Sequence, residues 1–430
     1  MYHVRHMKGR KKQRTQLITG IDIGSTAIRV AVGQYAGDDS LDSLQLVGAI
    51  EVPAEGVQKG IVTSIDEAVS SLSNALEQTE RLIGVPIEHA WISISGTHIV
   101  SAESKGVVAV AKSDGEISQE DVIRTVDAAR TVVTPLNYEI LHVLPRHFGV
   151  DGQTNIKDPV GMTGVRLEVD THIIYGVAAH IKNVTKAVYR TGIDIDDLVL
   201  SILATGDVVT TARQRELGVA VVNIGGPTTS LIIYEGGDVL HVAVLPIGSE
   251  HITNDIAIGL KTSIDVAERV KMNYGQAIAK AISKKQMIDL LEFGASEHED
   301  VSLYYVSQII EARAREILEK INAEFDSLGR RGLLPAGVVF DGGGAKLGGL
   351  IGLAKDELSL PASLGYPIDM YGLAEKGHDV AFAPAIGLVR WGSHVVQGAS
   401  GTHGSHRRSS LTSATKALGA VQSFWKSLIP

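Results

Sequence analysis

The chain has 430 residues, 44% of them hydrophobic and 21% charged, which is long enough for about three domain-sized units around a large buried core. Zero cysteines exclude disulfides, thiolate metal sites and cysteine nucleophiles, and a formal net charge of -9 argues against nucleic acid binding by the body of the protein. No apolar run approaches the roughly 20 residues that span a bilayer, and the basic N-terminus is not followed by a signal-like apolar stretch, so a cytoplasmic protein is expected.

In chain order, residues 1–15 come first as a basic tail, with Arg5, Lys8, Arg10, Lys11, Lys12 and Arg14 and no acid among residues 1–14. It reads as a solvated tail or as a contact to anionic lipid. Apolar, β-branched runs at 18–32, 91–100, 171–178, 218–234, 239–247 and 337–340 predict strands, and helical periodicity at 64–83, 118–131, 250–260, 264–282 and 301–328 predicts helices between them. The first strand run turns at Ile21-Asp22-Ile23-Gly24-Ser25-Thr26. A second turn of the same kind follows about half a chain later, at Val222-Asn223-Ile224-Gly225-Gly226-Pro227-Thr228. Either turn alone is more often an ordinary hairpin than a ligand site. Two copies suggest two matched lobes, in which glycines let backbone N–H groups approach an anion and the hydroxyls of Ser25, Thr26, Thr228 and Thr229 add donors.

Between the hairpins, 96–176 carries its own strands and a helix opened by Ser118-Gln119-Glu120-Asp121, which is a cap signature. A third glycine cluster, Asp341-Gly342-Gly343-Gly344, follows the strand Gly337-Val338-Val339-Phe340 and opens a helical stretch from Lys346 to Glu357. It is not a P-loop, because no glycine pair ends in Lys-Ser/Thr. It is not a Rossmann fingerprint either, because Leu347 stands where the last glycine belongs.

From about 393 to 410 the composition turns to Gly, Ser, His and Arg, as in a flexible linker. On a helix beyond it, Leu411, Ala414, Leu418, Val421, Trp425 and Leu428 fall at spacings of three and four, with Phe424 at the edge of the stripe. A helix docked on the protein's own body is one reading. A membrane-surface helix is the other, supported by the linker, the terminal Trp and the nearby Arg407 and Arg408. Burying four or five such side chains contributes roughly 2 kcal/mol each at best, offset by ordering a short helix, so one copy would bind weakly and many linked copies far more tightly. The 15 histidines are scattered without a His-Glu-x-x-His motif, so no metal site is expected from them.

The order of these elements resembles the actin, Hsp70 and sugar kinase ATPase superfamily. Within it the chain resembles the FtsA family of bacterial cell division proteins. The matching segments are Asp158-Pro159-Val160-Gly161-Met162-Thr163-Gly164-Val165-Arg166-Leu167 after Val150-Asp151-Gly152, Glu216-Leu217-Gly218-Val219, Ala267-Glu268-Arg269-Val270-Lys271 and Ile309-Ile310-Glu311-Ala312-Arg313. The resemblance implies an α/β, actin-like two-lobed fold with duplicated ribonuclease-H-like domains and an FtsA-type inserted subdomain. The first lobe would comprise 16–95 with about 177–200 and 384–395, the inserted subdomain 96–176, and the second lobe 201–383 with a smaller part at about 256–335. A linker at 396–409 and an amphipathic membrane-targeting helix at 410–430 would follow.

By the same resemblance, ATP with Mg2+ would be held by Asp22, Gly24, Ser25 and Thr26 of the first loop and Asn223, Gly225, Gly226 and Thr228 of the second. Glu268 and Lys271 would lie near the ribose and adenine, and Gly342, Gly343, Gly344 and Lys346 near the adenosine. Glu268 and Lys271 read equally as an exposed i,i+3 helix pair. Superfamily members that hydrolyse ATP usually carry Asp where this chain has Asn223 and commonly where it has Ser230, and Pro227 replaces the third loop glycine and removes a backbone donor. Of the loop carboxylates only Asp22 is left to act on the metal, indirectly through Mg-ATP, so slow or absent hydrolysis is expected and at most a weak ATPase. The implied partners are FtsZ, the chain itself in a filament, an anionic membrane surface and other division proteins. Arg313 and Arg330 would face FtsZ, although Arg313 also reads as part of a solvated face with Glu311, Arg315 and Glu316. The implied location is peripheral, on the cytoplasmic face of the cell membrane at the division site. A PilM-like adaptor of a membrane assembly and, less well supported, a small-molecule kinase are the competing readings.

Overall fold

The strand Leu17–Ile23 is buried almost throughout, as a strand must be when both faces of its sheet are covered. The computed structural model describes residues 17–35, 44–131, 135–372 and 376–400. The basic tail and the helix expected over 410–430 lie outside these described residues.

Leu17–Ile23 pairs antiparallel with Ala27–Tyr35, which pairs antiparallel with Leu44–Pro53. On its other side it pairs parallel with His89–Ile94, which pairs parallel with Asp194–Leu200. The second sheet repeats this order: Val219–Ile224, Thr229–Glu235 and Asp238–Leu245 form the antiparallel meander, and Val338–Asp341 and Ala362–Leu364 are added in parallel. The short strand Tyr371–Gly372 extends the first sheet at the edge formed by Leu44–Pro53. The duplication suggested by two glycine turns is therefore a duplication of whole sheets.

Each sheet is covered on its outer face by helices with an apolar stripe. Ile65–Ile83 lays Ala68, Leu72, Ala75 and Leu76 on the first sheet. Ser249–Leu260, Ile264–Tyr274 and Leu303–Ser327 cover the second. Between the sheets lie Ser201–Val209, buried at every position, and Ala383–Ser400. One apolar cluster joins Ile18 and Ala31 of the first sheet to Val221 and Ile232 of the second through Leu203 and Val389 of these two helices. A helix apolar all round belongs in such a layer.

One acid sits in that layer. Asp207 accepts from Arg215 Nη1 at 3.0 Å and faces Arg390 and His394 of the last helix. Burial alone would raise its pKa, but the charges of His394, Arg390 and Arg215 outweigh burial and hold it below the usual carboxylate range. His394 is itself lowered by burial, so near neutral pH the two guanidinium groups carry the pairing.

A separate antiparallel sheet orders Ile99–Ala109, Arg166–Val177, Tyr138–Val150 and Gln153–Ile156, with the helix Gln119–Arg130 packed on it through Val122, Val126 and Ala129. Ser118 caps that helix as its sequence predicts: its N–H donates to Asp121 Oδ2 at 2.9 Å, and Asp121 N–H donates to its hydroxyl at 3.3 Å.

Three boundaries near the site and the linker differ from expectation. The helix expected over 264–282 ends at Tyr274, and only a 3-10 turn, Ala279–Ala281, lies in the remainder. The stretch after the third glycine cluster is a 3-10 turn, Gly343–Lys346, and the α-helix begins only at Leu350, because Gly349 at φ +76 breaks the path between them. The last helix runs to Ser400, into the segment expected as linker from 396 onward, with Val395 packed on the inter-lobe core.

Candidate functional site

The two glycine turns and the third glycine cluster open into one cleft of about 380 Å³ between the sheets. Asp22, Gly24, Ser25, Thr26, Asn223, Gly225, Gly226, Thr228, Glu268, Lys271, Gly342, Gly343, Gly344 and Lys346 all line it. So do Arg29, Ser95 and Ser201, which the sequence reading left out of the site, and Ser230, which it read only as the place of an absent carboxylate.

On the first wall, Asp22 ends the strand Leu17–Ile23 and is only 7% exposed. Ser93 donates to its Oδ1 at 2.7 Å and Ser201 at 3.3 Å. Burial pushes the carboxyl up, while the Ser93 hydrogen bond, the Arg29 charge and the Ser201 bond pull it back. Gly24 N–H donates to Ala27 O at 3.1 Å and closes the turn, and Ser25 Oγ accepts from Gly60 N–H at 3.0 Å. Side chains meet across the cleft: Thr26 Oγ1 donates to Glu250 Oε1 at 3.4 Å, and the Ser95 and Ser230 hydroxyls lie 3.3 Å apart.

On the second wall, Gly225 N–H closes its own turn on Thr228 O at 2.9 Å. The carbonyls of Gly225 and Gly226 accept from Ser249 N–H and Glu250 N–H, each at 2.9 Å, at the start of the helix Ser249–Leu260. In a trans peptide the N–H points opposite the carbonyl. The Gly226 N–H is therefore directed away from the helix, and at the next peptide Pro227 has no N–H to direct. Thr229 corrects an expectation. It is fully buried and its hydroxyl donates to Ile247 O at 2.8 Å, so Thr228, one residue earlier on the pleat, is the threonine that lines the cleft.

The glycines of the third cluster differ in what they are for. Gly342 has φ +85, and a Cβ there would stand 2.6 Å from Ile224 O. At Gly344 it would stand 2.4 Å from Ile224 Cγ2. At Gly343, by contrast, a Cβ would meet nothing within 4 Å. The residue before the cluster was missed as part of the site. Asp341 is 0% exposed, pairs in register with Asn223 on the adjacent parallel strand and accepts from Asn223 Nδ2. Burial pushes its carboxyl well above the usual range, with the Asn223 hydrogen bond opposing and Asp22 adding to the rise. A second acid besides Asp22 therefore stands beside the loops.

Glu268 and Lys271 form the expected i,i+3 pair, but its lysine end is largely buried rather than exposed. Their side chains pair at 2.6 Å across i,i+3, with Glu268 45% and Lys271 10% exposed, and both line the cleft. Thr253 joins them, accepting from Lys271 Nζ at 2.7 Å and donating to Glu268 at 2.5 Å. Lys346 Nζ lies 2.6 Å from Asp379.

Arg313 and Arg330 stand apart from the cleft lining. Arg313 Nε and Nη2 donate to the Asp255 carboxylate at 2.5 and 3.0 Å, and Nη1 donates to Glu316. Arg330 Nε and Nη2 grip Glu235 at 3.0 and 2.9 Å. Leu411, Leu418, Val421, Phe424, Trp425 and Leu428 lie outside the described residues. Among the described residues no helix is long and apolar enough to cross a membrane, and no group of three or more His, Asp or Glu could hold a metal ion.

Two sheets of one topology, facing each other across a glycine-lined cleft, make this an actin-like fold of the ATPase superfamily. Solved structures agree: the protein of a PilM-PilN type IV pilus biogenesis complex matches with a TM-score of 0.64 at 18% identity, over 87% of this chain and 98% of that one. MreB5 of Spiroplasma citri matches with a TM-score of 0.51 at 11% identity, over 90% and 99%. At these identities the likeness is one of fold. Family models are more specific. The one for cell division protein FtsA matches residues 220–387, and the one for the SHS2 domain inserted in FtsA matches 96–175. The FtsA of Pseudomonas aeruginosa is 34% identical over 380 residues, 88% of this chain and 90% of that one. That of Bacillus subtilis is 36% identical over 376 residues, 87% and 83%, and that of Escherichia coli 31% over 384 residues, 88% and 90%. The chain belongs to the FtsA family of cell division proteins.

Proposed function

We propose that the cleft binds ATP with Mg2+ and that the protein is an actin-like scaffold that polymerises and tethers FtsZ filaments to the inner face of the cell membrane, with slow or absent ATP hydrolysis. The observation that carries the nucleotide reading is the convergence of three glycine clusters, far apart in sequence, on one cleft. Related folds take such ligands: the Spiroplasma citri MreB5 structures are described as bound to ADP and to AMPPNP.

The donor set fits a metal held through its water shell. Asp22 is one buried acid, and Asn223 and Ser230 add an amide and a hydroxyl to the same lining, a sparse set that suits a Mg2+ keeping most of its waters. Mg2+ arriving with the nucleotide would screen the phosphate charge, and these residues are the ones to hold its waters. The threonine hydroxyls at both turns and the Gly226 N–H suit the phosphates. Pro227 leaves the second loop one donor short and Asn223 leaves it one charge short, which supports binding without fast turnover.

Membrane attachment rests on the apolar stripe from Leu411 to Leu428, and FtsZ recruitment on family membership together with Arg313 and Arg330 at the second lobe. One pair of measurements tests the reading. Purified protein should bind MgATP while releasing phosphate very slowly, and rapid ATP-dependent phosphate release would overturn the slow-hydrolysis part. Co-sedimentation of FtsZ filaments with anionic liposomes should require this protein and its residues 411–430. Recruitment that persists without them would overturn the tether.

A further inference from the structure

The buried acid beside the second loop has no role in the reading above. Asp341 ends the parallel strand Val338–Asp341 behind the cleft-lining Asn223, 0% exposed. Its Oδ1 accepts from Asn223 Nδ2, and its Oδ2 has no hydrogen-bond partner among the described residues. A buried carboxyl with one unmet oxygen is costly, and a packing role alone would be filled by any apolar residue of similar size. What distinguishes Asp341 is its target. An amide has two chemically different ends, and whichever group takes the Nδ2 decides which end faces the site. With Nδ2 committed to Asp341, the carbonyl Oδ1 of Asn223 is turned toward Gly342, where a Cβ would come within 3.1 Å of it. Both Asn223 and Gly342 line the cleft.

We infer that Asp341 is a positioning residue of the cleft, holding Asn223 so that its carbonyl oxygen rather than its N–H faces the hydrated cation of a bound nucleotide. The acid and the amide are transposed relative to a site built for strong cation attraction: the acidic group lies on the neighbouring strand, buried behind, and the amide oxygen lies in front. This deepens the nucleotide reading and rests on it.

Exchanging the pair tests the inference. The variants are Asn223→Asp, Asp341→Asn and the double exchange, each read by thermal melting without ligand at pH 8 and by titration with a fluorescent ADP analogue in Mg2+ and in EDTA. Asn223→Asp alone puts two acids in contact at a site that tolerates one charge, so its melting temperature falls, and the double exchange restores it. In the double variant a carboxylate faces the cleft, so the ratio of affinities with and without Mg2+ rises by at least about tenfold over wild type. A double variant whose Mg2+ ratio stays within about twofold of wild type overturns the orientation. Asn223→Asp melting where the double variant melts overturns the pairing whatever the nucleotide does. If the wild-type protein binds no ADP under either condition, the nucleotide reading fails, and the melting temperatures still decide whether the two side chains are coupled.

Discussion

Gly343→Ala separates a glycine kept for the fold from one kept for a ligand. Gly343 begins the 3-10 turn Gly343–Lys346, it is exposed, and a Cβ built on it meets no heavy atom within 4 Å. Replacing glycine by alanine where the backbone already suits alanine stabilises a protein by roughly 0.4–1 kcal/mol, because the unfolded chain loses freedom. Stability alone would therefore favour alanine here. Its neighbour Gly342 is the control: φ +85 and a Cβ 2.6 Å from Ile224 O make Gly342→Ala strained in the absence of any ligand. If adenosine lies over the cluster, the added methyl of Gly343→Ala displaces it, and a loss of about tenfold in affinity, or about 1.4 kcal/mol, is expected. Gly343→Val should weaken binding further. The assay pairs a thermal melt with a titration by fluorescent ATP analogue in Mg2+. Gly343→Ala should melt no lower than wild type yet bind more weakly, whereas Gly342→Ala should lose both. An unchanged affinity in a Gly343→Ala protein of full stability would show that the nucleotide does not cross this cluster.

Three other outcomes follow from particular residues. Arg313→Glu should weaken binding of the acidic FtsZ tail peptide, and because it also sets a third acid beside Asp255 and Glu316, Arg313→Met is the cleaner variant; equal peptide affinity for Arg313→Met removes this side chain from the contact, while the partly exposed ion pair it breaks should cost no more than about 1 kcal/mol. Replacing Phe424 and Trp425 together by Glu should abolish liposome flotation, and deleting 411–430 should leave nucleotide affinity intact; flotation by the truncated protein would move attachment elsewhere, with the basic tail next in line. His142 Nε2 accepts from Leu200 N–H at 2.9 Å, which only the neutral ring can do, and burial lowers its pKa from 6.5 to about 4. The unfolded chain therefore takes up this proton first as pH falls, so the stabilisation is complete above about pH 6.5 and drains away toward pH 4, at up to about 1.4 kcal/mol per pH unit. His142→Gln, which keeps an acceptor, should flatten the fall in urea midpoint between pH 7 and 5 relative to wild type, and parallel profiles would count against this assignment.

The parts of the site that could be read from sequence are those set by local chemistry. Glycine at a turn and alternation along a strand are properties of neighbouring residues, so the two hairpins and the third cluster were visible without any knowledge of what they face. The helix Ser201–Val209 escaped notice because a segment buried at every position has no periodicity to detect. Ser93 and Ser201, which hold Asp22, are single serines 71 and 179 residues from it in sequence, and no local pattern links them.

Register accounts for the rest. Asn223 sits opposite Ser230 across the antiparallel hairpin and opposite Asp341 across the parallel pair, so three dispersed residues become one wall only when the strand order is known. A hairpin partner can be deduced from its turn, although Asn223 and Ser230 were read together through the family resemblance. A parallel partner requires a crossover whose length says nothing about register, which is why Asp341 was not joined to them. The buried acid that stands against Asn223 on the next strand was therefore not joined to it, and cation binding here has to be argued for the amide and that acid as a single unit.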